Sequence, residues 1–103
     1  MATKQQLIEK LIRAAQDDLV FALWGREGAD VIAGAAKTGR GWADSAAARS
    51  LLVMNVRRAL RDAATSDSRR VEYYQCWEAL TVEGLRRILA FIENQSDNRN
   101  EDN

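Results

Sequence analysis

Apolar residues recur at intervals of three and four along most of this chain, which is the spacing of one face of an α-helix. The first such stretch predicts a single helix over residues 4–24. Thr3 and Gln6 have the spacing of a capping box at its start, and Gly25 is a typical stop at its end. Residues 19–24 are apolar on every side of this helix, so we expect them to lie deep in the fold.

The same periodicity predicts four further helices, over residues 27–37, 44–64, 68–80 and 82–95. Asp44 and Ser45 are both suitable N-caps for the second long helix, and Thr81 is suitable for the last one. The apolar stripes of the last two helices are rotated relative to each other, which predicts a break between Leu80 and Gly84.

No window alternates between apolar and polar residues as a strand does, so the sequence predicts an all-α fold. With 103 residues, the chain is expected to form one compact bundle of four or five helices with a glycine-rich connection. Residues 1–95 form this domain in the prediction, and the polar residues 96–103 form a disordered acidic tail. The predicted core consists of Leu11, Ile12, Leu19, Leu23, Leu52, Val56, Leu60, Trp77, Leu85, Leu89 and Ile92.

The composition narrows the range of functions, because the chain contains no histidine and one cysteine. Histidine supplies much of the acid–base and metal chemistry that proteins perform near neutral pH, so an enzyme is the poorest hypothesis. Cys76 has no histidine to activate it and is interpreted as a small, semi-buried residue. Gly34 and Gly39 are not followed by the Lys-Ser/Thr pair of a phosphate loop. The sequence therefore predicts no catalytic residue, no cofactor and no metal site.

Charge is distributed unevenly, although the formal net charge is zero. Residues 40–70 carry seven arginines and three aspartates, whereas residues 93–103 are acidic. Such a chain can present a local cationic face without being basic overall. Asp18 and Arg49 both fall on apolar helix stripes, and we favour a solvated edge position for each over a buried ion pair between them.

The outward face of the second long helix combines cationic and apolar side chains. Three arginines lie there within about 100° of one another, and a leucine and a methionine project among them. Arginine and methionine are enriched in protein interfaces, although the two apolar side chains could instead pack under the glycine-rich segment. Trp42, between a glycine and an alanine, is the tryptophan most expected to be an exposed anchor. The candidate partner-binding residues are Trp42, Leu51, Met54, Arg57, Arg58 and Arg61.

These features predict a non-enzymatic protein-interaction module, such as an adaptor, an inhibitor or an assembly subunit, whose partner is another protein or a second copy of itself. The alternative is a small nucleic-acid-binding regulator, because residues 31–49 resemble a degenerate helix-turn-helix. The zero net charge opposes that alternative. The lone cysteine and the lack of a long apolar run favour a cytoplasmic protein without membrane attachment.

Overall fold

The computed structural model describes residues 2–37, 45–65 and 75–101. Within these residues the fold is all-α, as predicted, and the only pairing of the strand type is an isolated bridge between Ala36 and Leu80. The elements are α1 (Lys4–Gln16), a 3₁₀ helix (Phe21–Trp24), α2 (Arg26–Gly34), α3 (Ala46–Thr65), a 3₁₀ helix (Gln75–Trp77) and α4 (Val82–Glu101). Helices α1 and α2 each pack against both α3 and α4, which builds one core between the four helices.

Helix α1 begins at the predicted capping box. The Thr3 hydroxyl accepts a hydrogen bond from the Gln6 backbone N–H at 3.2 Å, and the Gln6 side chain accepts one from the Thr3 N–H at 2.9 Å. Two of the backbone donors that every helix start leaves unpaired are therefore satisfied by sequence-local groups.

The prediction of one helix over residues 4–24 is wrong, because α1 ends at Gln16. Asp18 adopts a left-handed backbone conformation with φ of 58°. The Leu19 N–H donates to the Ala14 carbonyl oxygen at 2.8 Å, and the Asp18 N–H donates to the Ala15 carbonyl oxygen at 3.1 Å. These two bonds form a Schellman motif, with aspartate at the position that usually holds glycine. Because no glycine marks this helix end and the apolar periodicity continues beyond it, the sequence predicted a longer helix.

The expectation that residues 19–24 lie deep in the fold is also wrong for half of them. Val20 and Leu23 are buried, but Leu19, Phe21 and Trp24 are exposed by 40%, 42% and 37%. Phe21 and Trp24 lie in a 3₁₀ helix, which has three residues per turn, so their side chains differ in direction from those of the predicted α-helix. Leu19 precedes that helix and follows the left-handed Asp18 at the end of α1, and it does not belong to the core.

Helix α3 lies close to its predicted position, whereas α2 begins at Arg26 and ends at Gly34, three residues before its predicted end at Lys37. The Ser45 hydroxyl accepts from the Ala48 N–H at 3.0 Å and so caps the start of α3, whereas Asp44 lies outside the described residues. One apolar stripe of α3 is buried, and it includes the three residues of this helix in the predicted core; its members are Leu52, Val53, Val56, Ala59, Leu60 and Ala63. This stripe forms the centre of the core.

The chain after α2 is tied to the chain before α4. The Lys37 N–H donates to the Ala79 carbonyl oxygen at 2.7 Å, and the Thr81 N–H donates to the Ala35 carbonyl oxygen at 3.0 Å. Thr81 also caps α4, because its hydroxyl accepts from the Gly84 N–H at 2.8 Å. The predicted break between Leu80 and Gly84 and the predicted cap are thus confirmed.

Two other predicted boundaries change. In the part of the predicted helix 68–80 that the structure describes, a 3₁₀ helix over Gln75–Trp77 is followed by a turn and does not continue as an α-helix to Leu80. Helix α4 extends to Glu101, six residues beyond its predicted end at Gln95. The disorder expected for residues 96–103 stays a prediction.

The remaining members of the predicted core have the expected position. Ile12 and Leu89 are half-buried against the core, and the others, apart from Leu19, are buried. Cys76 is buried, and its burial raises the pKa of the thiol to about 12. Asp18 and Arg49 are both exposed and form no ion pair with each other, which agrees with the favoured interpretation. Among the described helices, none is long and apolar enough to cross a membrane.

Candidate functional site: the groove between α2 and α3

A groove of about 880 Å³ lies between α2 and α3 and contains most of the residues that the sequence analysis selected. We call it the α2–α3 groove. Its described lining is Trp24, Ala29, Asp30, Ala33, Ala46, Arg49, Ser50, Val53, Met54, Arg57, Arg58 and Arg61.

One continuous stripe of α3 forms the longer wall of the groove. The lining residues of α3 run from Ala46 to Arg61 in steps of one and three, which keeps them on the same side of a helix. At 1.5 Å per residue this wall is about 22 Å long. The buried stripe of α3 lies beside this wall, and Val53 belongs to both. Because the buried stripe packs in the core, it holds the wall of the groove in position.

The floor of the groove is made of small and apolar side chains. Ala29 and Ala33 are one turn apart on α2, and both are partly buried. They face Val53 of α3 across the groove, and Trp24 contributes a large side chain from the preceding 3₁₀ helix. Such a floor can admit apolar side chains of a ligand closely along Ala29 and Ala33, beyond the point at which the half-buried Arg57 reaches from α3 to the start of α2.

Arg57 has a structural role that the sequence did not indicate. Its Nε donates to the Leu23 carbonyl oxygen at 2.8 Å, and one terminal nitrogen (Nη2) donates to the Gly25 carbonyl oxygen at 3.0 Å. These two carbonyls lie at the junction of the 3₁₀ helix and α2. The Gly25 carbonyl oxygen also accepts the first backbone bond of α2, from the Ala29 N–H at 3.1 Å, whereas the Leu23 carbonyl lies in the last turn of the 3₁₀ helix, where acceptors lack helical partners. The guanidinium of Arg57 therefore joins this junction to α3 and fixes the spacing of the groove walls.

The other predicted residues of α3 project outward. Arg58 and Arg61 are exposed, and Met54 and Leu51 are exposed by 49% and 47%. Leu51 is not among the lining residues; it lies one turn before Met54, on the outer edge of the same face. Both apolar side chains are exposed, as the interface interpretation expects. Residues 38–44 of the glycine-rich segment lie outside the described residues, so the interface and the packing beneath that segment both stay predictions.

The electrostatics of the groove are strongly one-sided. Among the described lining residues there are four arginines and one carboxylate, that of Asp30. All four arginines belong to α3, so the groove combines one cationic wall with an apolar floor, although the whole chain has a formal net charge of zero.

The groove contains a tryptophan that was not expected there. Trp42, the predicted exposed anchor, lies outside the described residues, so its role stays a prediction, and Trp24 was expected to lie deep in the fold with the rest of residues 19–24. Trp24 instead lines the groove and is 37% exposed. The position of Trp24 directly before Gly25, a typical helix stop, was the sequence feature that could have indicated a surface position. The exposure of its side chain, however, depends on the end of α1 at Asp18.

The segment that resembles a helix-turn-helix is only partly described. Its first part is the end of α2, after which Ala35, Ala36 and Lys37 pair with the chain before α4. The second helix of the resemblance would begin in residues 38–44, which lie outside the described residues. The nucleic-acid alternative therefore stays a prediction.

A second, smaller groove of about 660 Å³ lies between α1 and α4. Leu19, Leu89 and Ile92 contribute apolar surface to it, and its cations include Lys10 and Arg13. Like the α2–α3 groove, it is lined by both cationic and apolar side chains, so charge substitutions in it can serve as a control for the effect of charge alone.

The described residues contain no group of three or more histidine, cysteine or acidic side chains that could hold a metal ion. Comparisons of the chain with protein-family models, curated proteins and solved structures found no match. The groove must therefore be interpreted from its own chemistry.

Proposed function

We propose that this protein is a small, non-enzymatic interaction module that binds a protein partner through the α2–α3 groove and the adjoining outer face of α3. The observation that carries the proposal is the exposure of Met54 and Leu51 beside Arg58 and Arg61. Arginine and methionine together offer directional hydrogen bonds and adaptable apolar contact, which is the usual composition of a binding surface.

The arrangement of the arginines supports a binding role for this face. Arg57 is held by two backbone carbonyls, so α3 and the start of α2 keep a fixed separation before any ligand arrives. Arg58 and Arg61 are exposed on the same wall. Their side chains form no hydrogen bond within the described part of α3, so both guanidinium groups can reach a ligand; the Thr65 hydroxyl bonds only the backbone carbonyl of Arg61. A fixed groove with outward cations loses less conformational entropy on binding than a flexible one does.

The test is affinity capture of the tagged protein from the lysate of its own source, with half of the sample treated with nuclease. The variant Arg58→Glu/Arg61→Glu changes the groove without removing the bonds of Arg57. The matched control is Arg26→Glu/Arg87→Glu, which makes the same change in charge at two exposed positions that do not line the groove.

We expect to recover a partner protein whose capture is unaffected by nuclease, is retained with the control variant and is lost with the groove variant. Capture that is equal for both variants would contradict it. Recovery that disappears after nuclease treatment would favour the nucleic-acid-binding regulator instead, and binding of that kind should also weaken steeply with salt. Unfolding curves of both variants establish that each is folded under the conditions of capture.

A further inference from the structure

We propose that the ligand of the α2–α3 groove is an acidic amphipathic α-helix of a partner protein, which lies along α3. This inference rests on the proposed function and specifies the chemistry of the partner. Its apolar side chains would contact Ala29, Ala33 and Val53, and its carboxylates would pair with Arg58 and Arg61.

The dimensions of the groove fit a helix. Its α3 wall is about 22 Å long, which corresponds to about four turns of a partner helix. The groove has a volume of about 880 Å³ along this wall.

The floor favours a helix that carries bulky apolar residues on one side. Ala29 and Ala33 are one helical turn apart and are partly buried, so they leave depressions rather than projections. Apolar anchors of a partner at three- and four-residue spacing would enter these depressions at successive turns. Trp24 and Met54 lie at the margin, where large and adaptable side chains can cover such anchors.

Charge complementarity determines the sign of the partner. The described lining has four arginines against the single carboxylate of Asp30, so a basic helix would be repelled. Arg58 and Arg61 are one turn apart on the exposed wall, which places their guanidinium groups opposite carboxylates at the same spacing on a parallel or antiparallel helix.

Nucleic acid fits this site less well than a helix does. A duplex is bound by an element that enters its groove or by a convex cationic surface along its phosphates. Here the cations border a concave apolar floor instead.

The test uses three fluorescently labelled synthetic helical peptides of about 18 residues, long enough to span the α3 wall. The first has leucines on one face and glutamates on both flanks. The second replaces each glutamate with lysine. The third has the composition of the first in an order that destroys the apolar face. A labelled duplex DNA of about 20 base pairs is measured in parallel by fluorescence anisotropy.

We expect the acidic amphipathic peptide to bind at least about tenfold more tightly than the lysine peptide, the rearranged peptide and the DNA. Its affinity should fall by about tenfold or more in Arg58→Glu/Arg61→Glu and, through lost apolar contact without a change of charge, in Met54→Ser. The control Lys10→Glu/Arg13→Glu makes the same change in charge in the groove between α1 and α4 and should bind like the unmodified protein.

Several results would overturn the inference: equal binding of the rearranged peptide, preference for DNA or the lysine peptide, loss of binding in the α1–α4 control, or no binding up to about 1 mM peptide. Its failure can be separated from failure of the proposed function. If capture of the natural partner depends on Arg58 and Arg61 while the acidic peptide does not bind, the inference alone is wrong. If the peptide binds as expected but capture does not depend on those arginines, the proposed function is wrong.

Discussion

Arg57 and Leu23, which are 34 positions apart in the chain, are joined by a hydrogen bond of 2.8 Å from Nε to the backbone carbonyl oxygen. A second bond from the same guanidinium to Gly25 makes the contact two-pronged. The side chain acts as a C-terminal cap for the 3₁₀ helix, supplied by a different helix. One of the arginines that the sequence assigned to partner binding is therefore part of what holds the groove open.

Replacement of Arg57 by methionine should lower the free energy of unfolding by about 1–3 kcal/mol, because two backbone acceptors lose a charged donor while the apolar stem is kept. The matched control Arg58→Met removes the same charge from the next residue, which is exposed, and should stay within about 0.5 kcal/mol of the unmodified protein. Urea denaturation of both variants measures the difference. Equal effects would show that the bonds of Arg57 contribute no stability.

Gly84 should not tolerate a side chain. A Cβ added there would lie 2.5 Å from the Cβ of Ala35 and 2.6 Å from its Cα, and Ala35 is held in place by its bond to Thr81. We expect Gly84→Ala to destabilise the fold by about 1–3 kcal/mol, since backbone must move to relieve the overlap.

The control for that substitution is Gly34→Ala, at the end of α2, where nothing lies within 4 Å of the added Cβ. There the higher helix propensity of alanine should leave stability unchanged or raise it by up to about 1 kcal/mol. Thermal unfolding of the two variants side by side checks both expectations. A Gly84→Ala protein as stable as Gly34→Ala would contradict the close approach of α4 to Ala35.

The two leucines of the segment after α1 should differ sharply in their contribution to stability. Leu23 is fully buried, so Leu23→Ala should cost about 2–5 kcal/mol through lost contacts and the resulting cavity. Leu19 is 40% exposed, so Leu19→Ala should cost less than about 1 kcal/mol. Equilibrium unfolding in urea distinguishes the two. Similar costs would support the continuous helix that the apolar periodicity predicted.

Cys76 should make stability fall as the pH rises above 9. Burial raises the pKa of its thiol to about 12, above the ordinary value of 9.0, so the unfolded chain releases this proton before the folded chain does. The contribution is complete below pH 9 and is lost as the pH approaches about 12, at a rate of at most about 1.4 kcal/mol per pH unit.

The measurement is the free energy of unfolding of the unmodified protein and of Cys76→Ala as a function of pH in this window. Other groups titrate in both proteins, so the difference between the two curves isolates the thiol. That difference should narrow as the pH rises if the native environment disfavours the thiolate. Parallel curves would show that the thiol is not desolvated in the folded state.

The candidate site was partly predictable from sequence. Met54, Arg58 and Arg61 were placed on an outward face because an α-helix with a strong apolar stripe leaves a defined opposite side, and α3 has such a stripe. The role of Arg57 was not predictable, because its two acceptors are backbone carbonyls, which carry no signature in the sequence. The inclusion of Trp24 depended on the position of a helix end that the sequence analysis missed.

What the sequence determined by itself was local. The capping box of Thr3 and Gln6, the Ser45 and Thr81 caps and the buried stripe of α3 each depend on residues a few positions apart, whose geometry a helix fixes. The tertiary structure decided where α1 ends, which apolar side chains of residues 19–24 are covered, and how α2 and α3 enclose a groove. These outcomes depend on contacts such as Arg57 with Leu23 and Gly84 with Ala35, which join residues distant in the chain and exist only once the helices have packed.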